Sequence, residues 1–209
     1  ATIRRQRQMC IRDRCATNGV SSSNCADEFF NQRLNNADLP IRNLAIGSNT
    51  TIDGRGAKVK LMFNGFKIGA DSSGQSTRLS SSVIVTNLSF EGAGHTEDHG
   101  LDPDMLRVTG ESNDVWIHKN SFINTGDAAF DVKVGGYNTT ISFNRLVDVL
   151  RASLHGSSDS RVINQQITTT LHNNMFITTD AFYSRGRSTL RRVPLLRRGA
   201  SHHFNNAVS

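Results

Sequence analysis

Four eight-residue stretches of this chain superimpose position by position: VIVTNLSF at residues 83–90, VWIHKNSF at 115–122, TTISFNRL at 139–146 and TTLHNNMF at 169–176. Their third residues are Val85, Ile117, Ile141 and Leu171, and their last are Phe90, Phe122, Leu146 and Phe176. The sixth is Leu88, then Asn120, Asn144 and Asn174, with Asn206 of NNAV offering a further member. The stretches begin 32, 24 and 30 residues apart. A period of that size, with one strand-like unit per repeat and no helical stretch between units, predicts a solenoid of β-coils. One coil cannot bury its own apolar side chains, whereas stacked coils bury continuous columns of Val, Ile, Leu and Phe. The recurring Asn is expected at a sharp turn, where it tolerates left-handed backbone and its amide bonds from coil to coil. The unequal intervals place turns of variable length on one face, where solenoids often carry function. A two-sheet sandwich also has many short strands but gives no reason for Asn at one place in each unit. The expected fold class is therefore all-β, a right-handed single-stranded parallel β-helix.

Composition agrees with short strands: 209 residues are long enough for one domain with a real core, 36% are hydrophobic, and 17 are Gly. The net charge of +6 divides into +4 for residues 1–14, +6 for residues 185–198 and −4 for everything else. Without a wider basic field or interleaved aromatics, a nucleic-acid partner is not expected. No apolar run approaches the length of a membrane span, and no membrane partner is expected. The tail ATIRRQRQMCIRDR shows neither apolar period nor turn chemistry, so residues 1–14 are expected to be a non-native or disordered basic arm. Residues 15–44 read as a lead-in or partial cap, and residues 45–209 as the β-helix domain. Cys15 and Cys25 could close a small disulfide loop or stay free thiols.

Carboxylates gather where the ladder would bring consecutive coils together. Asp102 and Asp104 alternate in HGLDPDMLRV, and Asp127 and Asp131 follow in NTGDAAFDVKVG one coil later. A single Asp in such places is usually a turn residue bonding its own backbone. Four converging on one wall would repel unless a cation sat among them, and hard oxygen ligands from loops suit Ca²⁺ better than Zn²⁺ or Mg²⁺.

Six motifs then resemble, in the same order, the pectate lyases of the pectate lyase C type over roughly residues 45–208. They are SNTTIDGRG, DPDML, VWIHKNSF, DAAFDVK, LRASLHGSSDS and RRVPLLRRGASHHFNN. The resemblance implies a pectin lyase-like solenoid, secreted and monomeric, that cleaves polygalacturonate by β-elimination with Ca²⁺. Carried over by position, Asp104, Asp127 and Asp131 would be the principal calcium ligands with Asp102 nearby. Arg192 would be the catalytic arginine and Arg197 a second, substrate-gripping one. Arg151 takes the place of a substrate-binding lysine, a swap that keeps charge and changes geometry. Pro194 is expected to fix the backbone between Arg192 and Arg197. Arg191 and Arg198 are read as ordinary charges.

The chain departs from the family pattern at His118 and Lys119, which stand where the family has Asp-His; His118 is expected to pack against Trp116. His155, His172, His202 and His203 are read as coil-turn residues near the cleft, and the role of His95 and His99 is open. A catalytically silent polysaccharide-binding β-helix and a calcium-independent pectin lyase are the alternatives to the enzyme reading. The chain also looks shorter than the family at both ends, so exposed apolar edges are expected. It should therefore behave poorly as an isolated protein, and a sharp, reversible melt of monomeric material would contradict that expectation.

Overall fold

A computed structural model describes residues 43–62, 65–92, 104–125, 127–179 and 190–209. The basic arm, nearly all of the lead-in, the three cysteines, His95, His99 and Asp102 lie outside the described residues.

The described strands build three parallel six-stranded sheets and one antiparallel hairpin. The first sheet takes, in spatial order, Leu44–Ile46, Phe66–Ile68, Leu106–Val108, Phe130–Val132, Leu154–His155 and Leu195–Leu196. The second takes Thr50–Asp53, Ser81–Thr86, Asn113–His118, Tyr137–Ser142, Thr168–His172 and Ala200–Phe204. The third takes Lys60–Met62, Ser89–Glu91, Ser121–Ile123, Arg145–Val147, Met175–Ile177 and Ala207–Val208. The chain visits first, second and third sheet in turn six times, which is a right-handed parallel β-helix. Each repeat thus carries three strands, not one. The eight-residue units of the sequence are the corner joining the second sheet to the third. The hairpin Ala70–Ser72 with Gln75–Arg78 and the short 3-10 turn Val162–Gln166 are inserted between the first and second sheets.

Apolar columns fill the interior in the register the repeat predicts. Ile52, Val85, Ile117, Ile141 and Leu171 are paired along the second sheet, and Leu61, Phe90, Phe122, Leu146 and Phe176 along the third. Phe90 and Phe122 stack nearly parallel with ring centroids 5.1 Å apart. Phe66 and Phe130, from the first sheet, meet Phe90 and Phe122 edge-on.

The corner is held by a ladder of side-chain amides. The Nδ2 groups of Asn120, Asn144 and Asn174 donate to the Oδ1 atoms of Asn144, Asn174 and Asn206 at 3.2, 3.0 and 3.0 Å. Each of those oxygens also accepts the backbone N–H of the Asn before it in the ladder, at 2.9–3.0 Å. The same Nδ2 groups donate to backbone carbonyls of Val85, Ile117 and Ile141. Every buried polar group at the corner is thereby satisfied. The left-handed residue, however, is not the ladder Asn. It is the residue before it: Asn87, Lys119, Phe143, Asn173 and Asn205, with φ of 51–57°. The ladder position needs amide chemistry facing the interior, and the preceding position needs the backbone twist, so the two demands fall on neighbours. At Lys119 and Phe143 the twist is imposed on residues that do not favour it, at roughly 1–2 kcal/mol each.

Replacing Asn144 by Ala removes acceptor and donor at once and strands the Asn120 N–H and the Ile117 carbonyl. The expected loss is about 2–4 kcal/mol, read as a lower urea midpoint with unchanged slope.

Candidate active site

Between the third sheet of one coil and the first sheet of the next, the connections vary in length, and four of the predicted site residues, Asp104, Asp127, Arg151 and Arg192, sit near their ends. Asp104 lies two residues before the strand Leu106–Val108. Asp127, Arg151 and Arg192 each lie three residues before the strands Phe130–Val132, Leu154–His155 and Leu195–Leu196. Bridges pairing Ala128 with Arg151 and Arg151 with Arg191 stack these approaches on one another. The structure therefore brings Asp104, Asp127, Asp131, Arg151 and Arg192 to one wall. Arg192 Nη1 is 4.0 Å from Asp127 Oδ1, which also accepts Arg151 Nη1 at 2.7 Å.

Asp131 is the middle residue of a strand whose neighbours Phe130 and Val132 are fully buried inward, so its side chain faces out. It lies in register with Arg107, and Arg107 with Lys67, forming a charged column on the outer face. Asp131 Oδ1 accepts the Leu154 N–H at 2.7 Å. Asp104 is 1% exposed, and its Oδ2 accepts Arg107 Nε and Nη2 at 3.0 and 2.8 Å and Lys133 Nζ at 3.0 Å. Lys133 Nζ also lies 2.7 Å from Asp131 Oδ2. The backbone just after Asp104 is approached closely by Gly65, where any Cβ would lie 1.7 Å from the Met105 carbonyl oxygen. Asn43 Nδ2 donates to the Asp104 carbonyl at 2.8 Å.

Burial, then the facing carboxylate of Asp131, pushes the Asp104 carboxyl well above the ordinary aspartate range; Lys133 works against the shift and Asp127 adds to it. Burial alone would lower the Lys133 ammonium, but Asp131 and Asp104 outweigh it and the net shift is upward. Asp104 Oδ1 is buried without a hydrogen-bond partner among the described residues. Among those residues no three His, Cys, Asp or Glu side chains close into a metal-holding group. A hard cation fits the donor set in one respect: Oδ1 is an uncommitted carboxylate oxygen on a wall of acids that repel one another.

The segment between the two arginines is pinned along its length. The Leu195 N–H donates to the Ser153 carbonyl at 3.0 Å and the Arg197 N–H to the His155 carbonyl at 2.9 Å. The Val193–Pro194 peptide is cis, and Arg192 itself has φ 60°, a left-handed backbone on a non-glycine residue. Arg197 Nη1 is 3.9 Å from Asp159 Oδ2, and Arg198 donates to the Asp159 carbonyl. Two residues that the sequence reading left without a role belong to the wall: Arg107 and Lys133. The signal was available, because Lys133 stands two residues after Asp131, just past the end of that strand, where extended backbone would put the two on one face.

A sequence model of the family described as pectate lyase matches residues 16–209, and the chain belongs to that family. It is 32% identical over 133 residues to a pectate trisaccharide-lyase of Thermotoga maritima, covering 61% of this chain and 33% of that protein. It is 30% identical over 166 residues to a pectate trisaccharide-lyase of Bacillus licheniformis, covering 76% of this chain and 41% of that protein. The chain thus spans less than half the length of these relatives. A solved pectate lyase variant from Xanthomonas campestris superposes with a TM-score of 0.56 at 22% identity, over 78% of this chain and 46% of that one, a likeness of fold.

The four histidines read as coil-turn residues lie in strands instead. His155 lies in the first sheet and His172, His202 and His203 in the second. His118 packs on Trp116 as expected, ring centroids 4.3 Å apart, with both on the outer face of the second sheet. His155 faces inward in register with Val132, fully buried, with Nδ1 3.1 Å from Thr169 Oγ1 and Nε2 unpartnered among the described residues. Burial, with His203 adding a little, pushes its imidazole down from 6.5 to about 3. Folded His155 therefore stays neutral where an unfolded histidine would protonate. The stability it contributes is intact above pH 6.5 and lost as pH falls toward 3, a few kcal/mol in all on the order of. Asp104 acts in the opposite sense in both proteins, so the comparison is by difference: His155→Leu should lose less stability than wild type between pH 6.5 and 3 in denaturant titrations.

Proposed function

We propose that this chain carries the catalytic groove of a secreted, monomeric pectate lyase that cleaves (1→4)-α-D-galacturonan by Ca²⁺-dependent β-elimination, leaving 4,5-unsaturated oligogalacturonides. The observation that carries the reading is the 4.0 Å approach of the Arg192 guanidinium to Asp127, which sets a candidate base and an acidic wall in one groove. Each sugar of the substrate bears a carboxylate, for which guanidinium groups are a natural grip. Arg197 and Arg151 would hold such carboxylates at the flanks of the reacting sugar. Ca²⁺ bound by Asp104, Asp127 and Asp131, with Asp102, would neutralise a substrate carboxylate and acidify the adjacent C5–H. Arg192, in its neutral form, takes the C5 proton. The freed electron pair forms the C4–C5 double bond, the C4–O bond breaks, and the departing oxygen is protonated from solvent.

A catalytically silent polysaccharide binder is a second reading, favoured by one fact: the acids are already compensated by Arg107, Lys133 and Arg151. Ultraviolet absorbance of the unsaturated product from polygalacturonate separates the two. Wild type with Ca²⁺ should form product, chelator should abolish it, and Arg192→Ala should slow it by about 10²–10⁴ while substrate binding persists. Since a neutral guanidine is favoured only as the solution turns alkaline, activity should climb from neutral toward about pH 9. A chelator-resistant activity peaking below pH 6 would refute the assignment.

A further inference from the structure

Lys133 is the residue of the acidic wall whose placement calls for its own explanation. Its backbone N–H donates to the Val108 carbonyl at 2.8 Å, which fixes the stem to the end of a first-sheet strand. The chain then bends away at once through Val134 and Gly135, both with positive φ. Its ammonium, on a side chain only 12% exposed, lies 3.0 Å from Asp104 Oδ2 and 2.7 Å from Asp131 Oδ2. It thus bridges two carboxylates whose side chains have no exposure to solvent. Arg107 grips the same Asp104 oxygen with two nitrogens, so the carboxylate cannot rotate away, and Oδ1 is left as the uncommitted oxygen.

We propose that Lys133 is a tethered counter-ion: its ammonium bridges Asp104 and Asp131 and competes with a divalent cation for the same oxygens. The proposal rests on the reading of these acids as a calcium wall. A buried pair of carboxylates with no cation between them would repel and destabilise the fold. A lysine of fixed stem and mobile head holds the pair together until a stronger cation arrives, then yields. Calcium binding is therefore weaker than the acids alone would allow, and the metal-free protein keeps its wall intact.

The test is calorimetric titration of the 209-residue protein with Ca²⁺ alone, beside thermal melts in chelator and in Ca²⁺. Lys133→Met should bind Ca²⁺ about tenfold tighter or more, melt earlier than wild type in chelator, and gain more from Ca²⁺. Lys133→Arg, which keeps the charge, should stay within about threefold of wild type. Lys133→Gln provides a second uncharged variant with the same expectation should the methionine fail to fold. Equal or weaker binding by the uncharged variants overturns the counter-ion and leaves the calcium reading standing. No binding heat from any variant, with circular dichroism showing them folded, overturns the calcium reading and this proposal together.

Discussion

Parallel pairing of each coil with the coils on either side is the constraint on which everything else in this molecule depends. Because the pairing is parallel and in register, a residue type placed at one position recurs about 4.8 Å away in the next coil. The corner between the second and third sheets exploits this with the Asn120–Asn144–Asn174–Asn206 ladder, in which each amide satisfies a backbone N–H and a backbone carbonyl of the preceding coil, and the Nδ2 of Asn120, Asn144 and Asn174 also donates to the next Asn. That corner cannot change length without breaking the register of the ladder. Among the described residues the connections from the third sheet to the first show no such ladder, and these connections differ in length from coil to coil. One side of the solenoid is therefore rigid by side-chain bonding and the other is free to carry loops.

The free side is where charge has been taken out of water. Asp104, Asp127 and Asp131 are all nearly buried, an arrangement that costs more than any one ion pair returns unless several partners share it. Here Arg107 and Lys133 share Asp104, Lys133 also reaches Asp131, and Arg151 takes Asp127. Asp131 gains further from a backbone N–H aimed at its second oxygen. Asp104 has no such donor on Oδ1 and carries the penalty as a raised carboxyl pKa. An uncompensated oxygen in the middle of a compensated wall is a place where a ligand gains most.

The fold was legible because its repeat is a packing rule written in residue types: Val85, Ile117, Ile141 and Leu171 must match when their strands are paired. The first-sheet strands were harder to see, because they are only two or three residues long and follow connections of unequal length. The left-handed corner residue was assigned one position late, since Asn is favoured both for that backbone and for the ladder, and only geometry separates the two. Lys133 and Arg107 were missed as members of the wall because a cation beside an acid on a strand reads as an ordinary surface pair. His155 was taken for a turn residue because a polar side chain in LHGSS looks like a loop, whereas its position in the stack turns it inward against Val132.

The order of residues along the chain becomes a direction along the stack of coils. Asp104 and Asp127 precede the third and fourth described coils, Arg151 the fifth, and Arg192 the sixth. Of the residues at these coil entries, the acids therefore come first and the guanidiniums of Arg151 and Arg192 follow. Asp127 and Arg192 stand two coils apart, roughly 10 Å of backbone separation, yet their side chains approach to 4.0 Å. The gap is closed by the length of an arginine leaning back over the intervening coil. Arg151, one coil from Asp127, reaches it fully at 2.7 Å and so holds the acid that Arg192 only approaches. The spacing of the coils is what leaves Arg192 near this acid while Arg151 bonds it.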